Sequence, residues 1–226
     1  MSTSVFGRAA EPIVIDVWSD VVCPFCYLGH AVLEESVAQF PYGVEIRYHS
    51  FQLNPGMKVG QSIRADDYLA AQVHLPKEQI EASHAHLTER GARSGLDYRF
   101  DNVLMVNTLD AHRMIHLAKA HGQESAMVKR LFRAEFTETL NLADHAVLAD
   151  LAAELGLDRA EAVTVLETGG YEKDIRADIA QARQLGISGV PFFVFDNRRA
   201  VSGAQPIETF RRALDLIRQD RAAQPA

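Results

Sequence analysis

The only two cysteines among 226 residues stand three positions apart in Cys23-Pro24-Phe25-Cys26, directly behind the apolar, β-branched run Ile13-Val14-Ile15-Asp16-Val17-Trp18. A disulfide framework scatters its cysteines to close long loops. Thiols at i and i+3 instead share one face of a helical turn and can cycle between dithiol and disulfide without unfolding anything. The chain must therefore present a strand, a turn and a helix with both sulfurs at the helix N-terminus. If Cys23 is the N-cap and Pro24 takes N1, where proline is tolerated, orphan backbone N–H groups and the positive end of the helix dipole favour a Cys23 thiolate. Cys23 is predicted to be the nucleophile. Cys26, one turn further in and flanked by Phe25 and Tyr27, is predicted to be the resolving thiol. Phe25 supplies neither charge nor hydrogen-bond donor between them, so the expected stabilisation of the thiolate is moderate.

A structural zinc would need four ligands, and no second CxxC or nearby Cys/His pair exists. The nine histidines include His112 and His116 at i,i+4 and the His84-Ala85-His86 run, but these fall on different predicted helices. No metal site is expected.

Around this motif the pattern reads as an α/β chain. Tyr27, Leu28, Val32, Leu33 and Val37 recur at helical spacing until Pro41 and Gly43, and residues 44–51 read as a second strand. A right-handed crossover would make the two strands parallel neighbours. Residues 66–182 carry mostly 3.6-residue periodicity, broken at 91–95 and at Gly156. Asn102 is predicted to cap a helix running through Leu104, Leu109, Met114 and Leu117 to Gly122, and Asp144 one carrying Val147, Leu148 and Leu151. A further helix runs from near Tyr171 to Leu185. Strand signal returns in Val190-Pro191-Phe192-Phe193-Val194-Phe195, followed by an Asp196-Asn197 turn and a hairpin partner at 199–202. An amphipathic helix with Ile207, Phe210, Leu214 and Ile217 on one face ends the pattern. This order is a thioredoxin-like fold interrupted by a large α-helical insertion. Residues 11–60 form its first part, 61–170 the insertion and 171–220 its second part.

The 47% hydrophobic content allows a substantial core, and the net charge of -7 with no dense Lys/Arg cluster argues against a nucleic-acid partner. Residues 1–10 show no basic segment followed by an apolar one, and no run approaches a membrane span. A cytoplasmic address without membrane association is the expectation, and there a CxxC cycles transiently.

Gly189-Val190-Pro191 is the second informative motif, because a proline opening a strand beside a tight turn is where a cis bond is tolerated. Five ordered motifs then coincide. They are Ser19-Asp20-Val21-Val22-Cys23-Pro24-Phe25-Cys26-Tyr27-Leu28-Gly29, Phe51-Gln52-Leu53-Asn54-Pro55, Asn107-Thr108-Leu109-Asp110-Ala111-His112-Arg113, Gly186-Ile187-Ser188-Gly189-Val190-Pro191, and Val201-Ser202-Gly203-Ala204-Gln205-Pro206. Together they resemble the FrnE-like branch of the DsbA family over nearly the whole chain. The resemblance implies a thioredoxin fold with a helical insertion, a cis Val190-Pro191 bond packed against the CxxC, and disulfide-exchange or isomerase activity. Phe25 departs from the Trp common at that position but keeps an aromatic ring. The resemblance also suggests that His112 and Arg113 face the cleft. Arg113 could bind a carboxylate or thiolate, though a solvent-exposed pair on an amphipathic helix explains both residues as well.

Gln52 and Asn54 read equally as turn formers or cleft liners. Asp16 and Asp20 are candidates for passing a proton to Cys26, with a turn or cap role preferred for Asp20. The leading reading is an enzyme, a thiol-disulfide oxidoreductase using Cys23 and Cys26. Val190, Pro191, Phe25, His112, Arg113 and Gln52 would bind a disulfide-containing protein or small-thiol substrate. No tightly bound cofactor is expected; glutathione or another thiol would be a co-substrate. The rivals are a glutathione-dependent or thiol-assisted isomerase of small, polyketide-like molecules, and a holdase chaperone. Homodimerisation through the insertion is compatible with the sequence, but no residue pattern specifies it.

Overall fold

A computed structural model describes residues 11–223; the segment 1–10, read above for a leader, lies outside them. Strand β1 (Ile13–Ser19) leads into helix α1 (Pro24–Ala38), and β2 (Val44–Ser50) returns beside it. The two strands are parallel, with Ile13 opposite Val44 and Ser19 opposite Ser50. Near the C-terminus β5 (Phe192–Phe195) pairs antiparallel with β1, β6 (Arg199–Ser202) pairs with β5, and α9 (Ile207–Ala222) follows. The sheet order is β2-β1-β5-β6. Asp196 and Asn197 both have positive φ, 51° and 54°, as the central residues of a type I′ turn require, and Arg198 N closes that turn on the Phe195 carbonyl at 2.9 Å; the connection from Phe195 to its partner Arg199 is thus three residues, one more than the sequence reading expected.

Alternation along β1 sorts the two faces of the sheet. Ile13, Ile15 and Val17 join Leu33, Phe193, Phe195, Phe210, Leu214 and Ile217 beneath α1 and α9. Trp18 faces the opposite way, against Ala182 and Ile187, where α8 (Glu172–Gln184) and the loop after it cover the sheet. Between β2 and α8 come β3 (Ser62–Arg64), α2 (Ala65–Gln72), α3 (Lys77–Arg93), β4 (Leu104–Val106), α4 (Leu109–Ala120), α5 (Glu124–Phe136), α6 (His145–Glu154) and α7 (Arg159–Thr168). This helical region shares one apolar cluster with the sheet. Tyr27 of α1 stacks on Phe132 and Phe136 of α5, with ring centroids 5.4 and 5.9 Å apart.

The structure departs from the sequence reading at Asn102. That residue closes a short 3-10 turn (Phe100–Asn102), and its Oδ1 accepts from Arg64 Nη1 at 2.8 Å. Leu104 lies in β4, paired with β3, so the helix starts only at Leu109 with Thr108 as N-cap. Once the backbone of 104–106 is bonded to 62–64, it is unavailable to a helix. Asp144 does cap α6, accepting from the Ala146 amide at 2.8 Å.

Candidate active site

Cys23 is the N-cap of α1, in an extended conformation with φ -93° and ψ 110°, and Pro24 opens the helix. The carbonyl of Cys23 accepts from Cys26 N at 2.9 Å and Tyr27 N at 3.3 Å, which closes the first turn around the two thiols. Both cysteines are free and buried, Cys26 more completely than Cys23. Burial pushes the Cys26 thiol well above its ordinary pKa, and the adjacent Cys23 adds to that shift. Phe25, 38% exposed, leaves an apolar ring on the surface between them.

The Val190-Pro191 peptide is cis, and the Cys23 thiol donates to the Val190 carbonyl across 3.7 Å. Close approach of α1 to this loop depends on Gly29. A Cβ there would sit 3.0 Å from Pro191 Cγ and 3.1 Å from Phe193 Cζ.

Beneath the CxxC lies a group of buried polar side chains. Asp20 is fully buried; its carbonyl accepts from Cys23 N at 3.1 Å and its Oδ2 from Leu53 N at 2.7 Å. Its backbone thus starts the turn as expected, while its side chain anchors the loop after β2 instead of capping a helix. His112 Nε2 lies 2.9 Å from the Phe51 carbonyl and 3.4 Å from Asp20 Oδ1. Glu135 of α5 is also buried, and among the described residues neither of its carboxylate oxygens has a hydrogen-bond partner. Burial, with Asp20 adding to it, pushes the Glu135 carboxyl well above the usual carboxylate range. The sequence reading missed Glu135, although one signal was present: it falls four residues after Leu131 on the apolar face of α5.

The other candidates divide. His112 lies beneath the site, bonded to the Phe51 carbonyl, and neither it nor Arg113 is exposed, which removes the surface-pair reading. Arg113 does not reach the cleft as a free donor. Its guanidinium is bound to Asp110 at 3.0 Å, to Glu172 at 3.2 Å and to the Gly170 carbonyl at 2.5 Å, tying α4 to the start of α8. A buried guanidinium needs such partners, and these leave it committed to the fold. Asp16 is likewise engaged, accepting from His49 Nε2 at 2.7 Å on the α8 side of the sheet. Asn54 accepts from the Tyr68 hydroxyl.

Gln52 donates to Asn107 Oδ1 at 3.0 Å and lines a cavity of about 590 Å³ with Phe51, Met57, Ile179 and Ile187. Phe51 and Val190 both pack against the cluster of Trp18, Ala182 and Ile187, so Ile187 of the cavity wall also supports the Val190 loop. No group of three or more His, Cys, Asp or Glu among the described residues is placed to hold a metal ion.

A strand–CxxC–helix facing a cis-proline loop on a β2-β1-β5-β6 sheet defines a thioredoxin-type dithiol protein. The sequence profile of the DSBA-like thioredoxin domain matches residues 14–215, and the chain belongs to that family. Over 202 residues it is 30% identical to the uncharacterized protein YwbO of Bacillus subtilis (strain 168), covering 88% of this chain and 94% of that one. The probable DsbA oxidoreductase SCO1869 of Streptomyces coelicolor superposes with a TM-score of 0.88 at 37% identity, covering 95% of this chain and 92% of its own. The cytosolic disulfide reductase DsbM of Pseudomonas aeruginosa, solved with GSH, shares the fold at 22% identity and a TM-score of 0.65, with 91% and 99% of the two chains covered.

Proposed function

We propose that the protein is a thiol-disulfide oxidoreductase acting through Cys23 and Cys26. The observation that carries this reading is the placement of Cys23 at the α1 N-terminus with its sulfur turned to the Val190 carbonyl, while Cys26 lies deeper. A helix N-terminus is where a thiolate formed for attack finds donors, and the high pKa of Cys26 keeps that thiol protonated until its turn to react. In the first step the Cys23 thiolate attacks a substrate disulfide. One sulfur–sulfur bond breaks, a mixed disulfide forms, and the first substrate thiolate leaves. Cys26 then loses its proton and attacks Cys23 Sγ, releasing the second substrate thiolate and leaving a Cys23–Cys26 disulfide. The substrate has gained two electrons and two protons, and two glutathione thiols reset the pair by forming oxidised glutathione.

The backbone at Val190 is placed to pair with an extended substrate segment, and Pro191 offers the sulfurs no competing N–H. Phe25 gives that segment an apolar contact, Gln52 lines the neighbouring cavity, and His112 supports the site from beneath through the Phe51 carbonyl. A cytoplasmic setting with glutathione as co-substrate fits this cycle, and the GSH-bound Pseudomonas neighbour on the same fold supports it. No helix among the described residues is long and apolar enough to cross a membrane. The test is a Cys26→Ala variant, which should accumulate a mixed disulfide on Cys23 when given a disulfide substrate under mild oxidant. Absence of any adduct would count heavily against the reading.

One observation favours a second activity at the same centre. The cavity of about 590 Å³ beside the Val190 loop is large enough for an organic molecule, and its lining mixes apolar side chains with Gln52, Asn107, Arg176 and Arg183 as polar anchors. An addition–elimination isomerase of small substrates would need one thiol only. Turnover that survives Cys26→Ser would favour it over disulfide exchange.

A further inference from the structure

Tyr98 lies in the segment between α3 and β4, 74 residues from the active-site turn, yet its hydroxyl donates to the Pro24 carbonyl at 2.6 Å. The ring is buried and held on several sides. It stacks on Phe100 at 5.1 Å, Phe100 stacks on His84 at 4.0 Å, and Tyr27 meets it edge-on at 5.4 Å. Gly91 supplies the remaining wall, because a Cβ there would come within 2.5 Å of the Tyr98 ring. A buried glycine inside α3 is unfavourable for the helix, and this ring accounts for it. Burial raises the Tyr98 phenol above its ordinary pKa, so it stays a protonated donor throughout the working pH range.

The acceptor decides what this bond does. The Pro24 oxygen belongs to the Pro24–Phe25 amide, whose N–H is the donor at N2. Cys26 N and Tyr27 N already bond to the Cys23 carbonyl, whereas Phe25 N is left, among the described residues, without a backbone acceptor. The Cys23 thiol makes no side-chain cap bond and turns to the Val190 carbonyl instead; because an N-cap side chain accepts from N2 or N3, the Phe25 N–H is the amide free to serve the sulfur once it becomes a thiolate. Hydrogen bonds in series polarise one another: a hydroxyl donating into an amide oxygen strengthens that amide's N–H as a donor.

We infer that Tyr98 is a positioning residue that, through the Pro24–Phe25 amide, stabilises the Cys23 thiolate and makes the Cys23–Cys26 pair more oxidising. Deepening the dithiol reading above, and resting on it, this assignment gives the helical region a direct connection to the redox turn. The bond forms and breaks no covalent linkage; it shifts the equilibrium between dithiol plus oxidised glutathione and disulfide plus two glutathione thiols. Less stabilisation of the thiolate favours the disulfide form.

The test compares wild type with Tyr98→Phe, which removes one oxygen and keeps the ring, in graded mixtures of reduced and oxidised glutathione. Tyr48→Phe is the control, since it removes a buried phenol hydroxyl that bonds His30 at 2.6 Å and does not touch Pro24. Tyr98→Phe should shift the dithiol–disulfide equilibrium about threefold towards disulfide, roughly 14 mV more reducing at ~30 mV per tenfold change. Tyr48→Phe should leave it unchanged. A wild-type protein that forms no internal disulfide would defeat the dithiol reading itself. A normal wild-type couple that Tyr98→Phe leaves unmoved, or that both variants move equally, would overturn the role of Tyr98 alone.

Discussion

Asp178→Ala should loosen the wall that carries the Val190 loop. Asp178 lies on α8, and its carboxylate accepts from Ser50 N at 2.9 Å and His49 Nδ1 at 3.0 Å, with His116 Nε2 at 3.2 Å. His49 is held from its other side by Asp16 and stacks on Trp18 with centroids 4.5 Å apart. The network therefore fastens α8, and with it the loop leading to Val190, onto β1 and β2. Burial lowers the His49 pKa but the two aspartates outweigh it, raising the value from 6.5 to about 9. The side chains are only 14% and 15% exposed, so solvent screens the pair little. A rise of about 2.5 units is worth about 3 kcal/mol at ~1.4 kcal/mol per unit, shared between Asp16 and Asp178; loss of the Asp178 share together with its Ser50 and His116 bonds falls near the lower end of the ~3–5 kcal/mol measured when buried ion pairs are broken.

The sign follows from the raised value. The His49 contribution is fully present below its ordinary pKa of 6.5 and is lost as pH climbs through about 9. Burial raises the Asp178 pKa, but the bonds from His116, His49 and Ser50 N outweigh it, so its share is present above the ordinary value of 3.8 and lost as pH falls below it. These are two views of the same bonds and are counted once. Urea unfolding of wild type and Asp178→Ala should therefore differ by about 3 kcal/mol near pH 6, and the gap should narrow clearly by pH 10. A gap that stays constant from pH 6 to pH 10 would refute the charge argument.

Two other substitutions probe the site. Gly29→Ala gains about 1 kcal/mol of helix propensity, but its methyl must displace Pro191 or Phe193, at about 1–3 kcal/mol for overpacking. The variant should be slightly less stable by denaturant titration and slower in disulfide exchange; a more stable protein with unchanged kinetics would contradict the close approach. Glu135→Gln removes a carboxyl whose raised pKa makes the folded state lose stability as pH rises above the ordinary value of 4.5. It should unfold at higher urea than wild type at pH 7 and lose that advantage by pH 4, and a variant less stable at pH 7 would contradict a protonated, buried Glu135.

The frame of the fold was legible because its signals are local. A β-branched run, a proline one residue past a cysteine, and an Asp-Asn pair between two apolar strands each carry their own conformational preference. The β3–β4 ribbon left no such trace. Residues 62–64 are exposed in the structure and each strand has three residues, too few for alternation to register, so the periodicity from Leu104 onward was read as helix. At the site the cysteines and the Val190-Pro191 turn were visible for the same local reason. The burial of Asp20, the commitment of Arg113 to Asp110 and Glu172, and the reach of Tyr98 to Pro24 depend on contacts among segments far apart in the chain. Glu135 lay between these cases, its position on an apolar face readable but its closeness to Asp20 not.

The most direct test of the central claim is to equilibrate the protein in graded redox buffers, block free thiols, and weigh the products. Disulfide exchange predicts one two-electron transition joining the Cys23, Cys26 dithiol to an internal disulfide, with a midpoint between roughly -270 and -120 mV, the range spanned by thiol reductants and oxidants of this fold. A dithiol that persists across the range, or a glutathione adduct on Cys23 that never resolves into the internal disulfide, would contradict it.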